Sequence, residues 1–150
     1  MNSTSRNPFD YIKDERYIFR FSSLLTNLGV SDDEKDSFTE KSIRLCFAAV
    51  IAYIYYEYDE YLKNLDIIIC FLNDLEAEGK SDDSTVSVDE LFSELSAKDH
   101  NSFAARQYQK FKLVAGSTKN FIISECKRKI EIYKQLDEDT FLNLIAELDG

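Results

Sequence analysis

Proline occurs once in this chain of 150 residues and glycine four times. A many-stranded sheet needs such residues at its turns, so their scarcity argues for long helices joined by polar loops. Histidine also occurs once, at His100. That excludes a His-rich metal site, and with no cysteine near it in sequence His100 reads as an exposed turn residue. Cys46, Cys70 and Cys126 are odd in number, far apart and without CxxC spacing. Their apolar surroundings mark them as buried, reduced thiols of a cytoplasmic protein. The longest uncharged apolar run, residues 45–56, falls short of the roughly 20 residues that a membrane-spanning helix needs. Residues 1–10 are polar and do not read as a signal peptide.

Several kinds of chemistry are missing as well. Gly116, Ser117, Thr118 and Lys119 echo a phosphate-binding loop, but the upstream glycine is absent and the lysine follows the Ser/Thr pair instead of preceding it. The run reads as a joint between helices. The acidic runs at residues 32–36 and 82–83 lack the glycine and the bidentate glutamate of a calcium loop and read as solvated faces or caps. No serine or cysteine nucleophile stands in a recognisable frame, so the expectation is a chain without catalysis.

The residues that are present describe a folded domain. With 44% hydrophobic and 31% charged residues the chain lies outside the composition of disordered proteins. Its length suits one domain with one core. The expected fold is all-α, a compact bundle of about six to seven helices, with residues 1–6 as a flexible leader and 7–150 as a single domain. Tyr17, Ile18, Phe21, Leu24, Leu25 and Leu28 recur at helical spacing after Asp14, and Gly29 suits a left-handed cap. After a loop at 31–35, Phe38, Ile43, Leu45, Cys46, Ala49, Val50, Ala52, Tyr53 and Tyr56 make a helix apolar on most sides, the central rod of the core. Tyr53, Tyr55, Tyr56, Tyr58 and Tyr61 cluster at its end, at the core edge or on a partner surface. Residues 65–75 have the β-branched content of a strand but stand between helices, and read as helix. Residues 76–87 are charged, Ser-rich and aperiodic, a surface loop.

Ser87 and Glu90 form a capping box for a helix that stops near Lys98, and Asn101 or Ser102 caps the next one. There Phe103, Tyr108, Phe111, Val114 and Ala115 face inward, with Arg106 and Lys110 together on the other side. Residues 115–118 kink a continuous helix or end one and start another. Phe121, Ile122, Cys126, Ile130 and Tyr133 continue the apolar face. A final helix begins at residues 137–139 and closes the core with Phe141, Leu144, Ile145 and Leu148.

Charge is distributed unevenly. The chain carries a net −10, which argues against a generalised grip on nucleic acid. Residues 98–134 nevertheless hold nine Lys or Arg against three Asp or Glu, a local +6. Arg106, Lys110, Lys112, Lys119, Lys127 and Arg128 are the candidate contacts for DNA or for an acidic patch of a protein partner.

The order VDELFSELSAKDHNSFAARQYQKFKLVAGSTKNFIIS over residues 88–124 resembles the TraG-like coupling ATPases of type IV secretion and conjugation, in their Gram-positive form. Leu91, Phe92, Leu95, Asp99, Ala105, Gln107, Tyr108, Phe111, Lys112, Ala115, Gly116, Thr118, Ile122 and Ser124 stand at matching or near-matching places. Asn7, Pro8 and Phe9, with Tyr11 and Ile12, and the long segment reaching 53–57 are also similar to that family. Ser117 stands where the family has Lys. The resemblance implies the all-α domain inserted in the nucleotide-binding domain of a larger coupling protein, without its Walker motifs and membrane anchor. It also implies a cytoplasmic location, with the parent ATPase anchored at the inner face of the cell membrane. The implied function is recognition of a relaxase or a relaxosome accessory protein, of DNA, or of both. The alternative it leaves is a structural domain, packed on the parent ATPase and neighbouring subunits of a hexameric ring, that gates the channel. The isolated domain is expected to be monomeric, with no cofactor.

Overall fold

A computed structural model of the chain describes residues 5–30, 37–77 and 87–150. The loop expected at 31–35, most of the one expected at 76–87, and residues 1–4 of the expected leader lie outside them. The described residues form seven α-helices: α1 Glu15–Thr26, α2 Ser37–Glu57, α3 Leu65–Ala77, α4 Val88–Lys98, α5 Phe103–Ala115, α6 Lys119–Lys134 and α7 Glu138–Ala146. The all-α bundle is therefore as expected, and among the described residues no helix is long and apolar enough to cross a membrane.

The helix ends follow from local chemistry. Asp14 accepts from the backbone N–H groups of Arg16 and Tyr17, Ser87 from Glu90, Ser102 from Ala105, and Asp137 from Thr140. Each side chain satisfies a first-turn donor that the helix itself leaves open. Past the end of α1, Gly29 takes φ +68. A Cβ there would meet the movable tip of the Ile132 side chain on α6, so it is the left-handed backbone of this turn that calls for glycine. At the end of α5, Gly116 has φ +52 and the turn Gly116–Thr118 leads directly into α6. One helix ends there and another begins; no continuous helix runs through the joint.

Helix α2 is the axis of the fold. From Leu45 to Ile54 every residue is buried, and α1, α3, α5 and α6 all pack against it. Its most extensive neighbour is α5. Small side chains permit that approach, since Ala48, Ala49 and Ala52 on α2 and Ala104 and Ala105 on α5 are all buried. On α3, Ile68, Phe71, Leu72 and Leu75 form one buried stripe at three-and-four spacing. The helical period and the flanking helices override the strand preference of its isoleucines.

Two aromatic groups join the layers. Tyr53, Phe71, Phe92 and Tyr108 link α2, α3, α4 and α5, with Phe92 and Tyr108 stacked at 4.0 Å. Tyr133 meets Phe21 and Phe141 edge to face, joining α6 to α1 and α7. Its hydroxyl donates to the Arg6 carbonyl at 2.8 Å, while the Arg6 guanidinium lies 4.3 Å over the Phe141 ring. Arg6, expected in the flexible leader, is thus tied to the core, and Asn7 next to it donates to the Lys63 carbonyl at 2.8 Å.

Some expected core positions lie elsewhere. Phe38, in the first turn of α2, and Phe121, in the first turn of α6, are exposed. Val114 is half-buried. Of the tyrosines, Tyr53 is buried in the aromatic group whereas Tyr56 and Tyr61 are exposed. Cys46 and Cys126 are buried, but Cys70 is exposed on the outer side of α3, opposite the stripe of Ile68 and Leu72. Burial, followed by the hydrogen bond with Cys46, pushes the Cys126 thiol well above its ordinary pKa, so it stays protonated.

Candidate functional site

Four of the six cations expected to share a basic face interact with acidic groups of the fold. Lys112 on α5 pairs with Asp89 on α4 at 3.1 Å, and Lys127 on α6 pairs with Glu76 on α3 at 2.8 Å. Arg128 pairs with Glu125 one turn back at 3.0 Å. Lys119 is half-buried at the start of α6, and its charge adds to the field on Asp89. Lys129 and Lys134, which contributed to the local +6, are also engaged. Lys134 pairs with Glu131, and Lys129 is fully buried, donating to the Leu28 carbonyl. Acidic residues brought in from α3 and α4, far away in sequence, neutralise much of the positive stretch.

Arg106 and Lys110 differ from these. Both are exposed on α5, and neither makes a side-chain ion pair or hydrogen bond among the described residues. The fold places Lys41 and Arg44 of α2 opposite Lys110, across a groove of about 410 Å3. These two cations are also unpaired among the described residues. Its apolar lining is the buried Leu45 of α2, Leu113 and Val114 of α5, and Phe19 of α1. Phe19 is held edge-on against Phe103 at 5.1 Å. Leu113 is 85% exposed despite its size.

Gln107 also lines the groove. It is 2% exposed, and its side-chain oxygen is buried with no hydrogen-bond partner. An unmet acceptor in such surroundings costs about 1–3 kcal/mol. Sequence reading missed Gln107, Lys41 and Arg44 as site residues. A signal for Arg44 was present, since it is the one charged residue between two apolar positions of a helix buried on most sides.

A second cleft, between α4 and α5, is lined by Asp89, Ser93, Ser96, Tyr108 and Lys112. Its charged groups satisfy one another, with the Tyr108 hydroxyl and the Lys112 ammonium both donating to Asp89. Burial pushes the Asp89 carboxyl up, but those two hydrogen bonds and the charges of Lys112 and Lys119 outweigh it and hold its pKa below the ordinary 3.8. A carboxyl lowered in the folded state stabilises the fold above its unfolded pKa, and that contribution disappears as pH falls through the folded value. The stability difference between the native chain and Asp89→Asn is therefore expected to be constant at neutral pH and to shrink below pH 3.8 in acid titrations of thermal unfolding. We read this cleft as a structural tie.

Among the described residues no group of three His, Cys, Asp or Glu is placed to hold a metal ion. No family model, curated protein or solved structure matches the chain. The geometry of the α2–α5 groove therefore bears the weight of the functional reading.

Proposed function

We propose that this chain is a non-catalytic recognition domain that works by binding an anionic partner. The observation that carries the proposal is the groove itself, in which three unpaired cations, Lys41, Arg44 and Lys110, stand beside apolar side chains on a chain of net charge −10. Most cations in the positive stretch are spent on intramolecular pairs, so those left unpaired in one place mark a surface suited to charges from outside. Together with the resemblance of residues 88–124, this gives a substrate-recognition domain of a type IV secretion coupling protein. It serves conjugative DNA transfer in the cytoplasm, with its parent ATPase anchored at the inner face of the cell membrane. The partner is the relaxase or a relaxosome accessory protein, with DNA as a further ligand.

The test is retention of the cognate relaxase on the immobilised chain over a range of salt concentrations, alongside single- and double-stranded origin DNA. The proposal expects retention that weakens as salt screens the cations. No retention at any salt would reject it. That result would favour a structural domain that packs on the parent ATPase and neighbouring subunits of a hexameric ring and gates its channel. The exposed Leu113 of α5 and Phe121 of α6 speak for that second reading, since large exposed apolar side chains suit a permanent contact.

A further inference from the structure

We infer that the occupant of the α2–α5 groove is an acidic amphipathic helix of a protein partner, not nucleic acid. The inference rests on the recognition reading above and specifies its ligand. Lys41 and Arg44 are three apart on α2, and Arg106 and Lys110 are four apart on α5. At helical spacing each pair lies about 5–6 Å apart along its helix. Lys41 and Arg44 line the groove from α2 and Lys110 lines it from α5, with Arg106 one turn away on α5, and Leu45, Leu113 and Val114 give it an aliphatic lining. The complementary shape is a helix with an apolar stripe at i, i+3, i+4 and i+7 and carboxylates on both flanks of the stripe.

Two features separate this ligand from a nucleic acid strand. Single strands bind to aromatic platforms on which bases stack. The groove offers one ring, Phe19, already set edge-on against Phe103, and an otherwise aliphatic floor. The net −10 of the chain opposes a long polyanion over its whole length, whereas a short peptide with a few carboxylates meets the local cations at little cost.

The experiment uses the whole chain, labelled with 15N, and a designed helix of about 18 residues, or roughly five turns. Its stripe is leucine, and glutamates flank the stripe. The controls are the same helix with lysine for glutamate and a single DNA strand of similar length. The glutamate helix is expected to shift the amides of residues 41–45 and 106–114 saturably, while neither control does. The triple variant Lys41→Glu, Arg44→Glu, Lys110→Glu is expected to weaken the glutamate helix by more than about tenfold and to gain binding of the lysine helix. Gln107→Leu is expected to raise the thermal midpoint of the free chain, because it removes an unmet polar group.

Absence of binding by the glutamate helix, shifts confined to other helices, DNA bound in the groove, or occupation of the groove by a second copy of the chain would each overturn the inference. Relaxase retained equally by the native chain and the triple variant would overturn the groove inference and leave the recognition reading standing. Binding of the glutamate helix in the groove without retention of any relaxase would uphold the inference and remove the relaxase from the reading.

Discussion

Replacing Lys129 with glutamate is expected to destabilise the fold by about 3–5 kcal/mol, the cost of an uncompensated buried charge. Lys129 is fully enclosed, and its ammonium donates to the Leu28 carbonyl just past the C-terminal end of α1. The carbonyls at that end carry partial negative charge, which suits a cation and repels a carboxylate. Glu40 and Glu125 stand close enough to act on this site, so a third carboxylate would add like-charge repulsion. Against a total stability of about 5–15 kcal/mol, such a loss leaves little margin. Lys129→Met should be nearly neutral by comparison, since it loses one hydrogen bond but also removes a cation from the interior.

A pH signature accompanies this pair of variants. Burial, followed by the charge of Arg128, holds the pKa of Lys129 below its ordinary 10.5. In the unfolded chain the lysine therefore keeps its proton to higher pH than in the folded one. Between the lowered value and 10.5 the unfolded state binds more protons, and stability rises with pH. The stability of the native chain relative to Lys129→Met is expected to increase as pH climbs toward 10.5, and denaturant titrations at a series of pH values measure it.

Tyr133→Ala is expected to cost a similar amount, about 3–5 kcal/mol. Tyr133 is fully buried and in edge contact with Phe21 and Phe141, so truncation opens a cavity between α1, α6 and α7. It also leaves the Arg6 carbonyl without the hydroxyl that binds it and loosens the ring on which the Arg6 guanidinium lies. Tyr133→Phe keeps the ring and loses the hydrogen bond alone, for about 1 kcal/mol. The difference between the two variants in chemical denaturation separates the packing contribution from the anchoring of Arg6. Burial pushes the Tyr133 hydroxyl to a pKa above the ordinary 10, so it remains a donor across the neutral range.

The helices were legible because their signals are local. Ser87, Ser102 and Asp137 cap their helices within three residues, and the stripes of α1, α3 and α5 repeat at the period of a helix. The burial of α2 from Leu45 to Ile54 was equally visible as a run without a polar face. The expected basic surface was less legible, because net charge along a sequence says nothing about which carboxylates fold back onto it. Lys127 meets Glu76 from 51 residues away, and Lys112 meets Asp89 from 23. Lys129 reads as a surface lysine among its charged neighbours, and its burial depends on where α1 ends. The groove was out of reach for the same reason. Lys41 and Lys110 become neighbours through the docking of α5 on α2, a contact between segments more than 60 residues apart. The unmet oxygen of Gln107 is likewise a property of the packed state.

The central claim is that recognition belongs to the α2–α5 groove and not to the positive stretch as a whole. Relaxase retention by two charge-reversed chains, each with three cations changed to glutamate, tests it most directly. One carries the changes at Lys41, Arg44 and Lys110 and the other at Lys112, Lys127 and Arg128, so both change the net charge equally. The groove account predicts that the first chain loses retention by more than about tenfold while the second, if folded, keeps it close to the native level. Equal loss in both chains, or loss in the second alone, would contradict it.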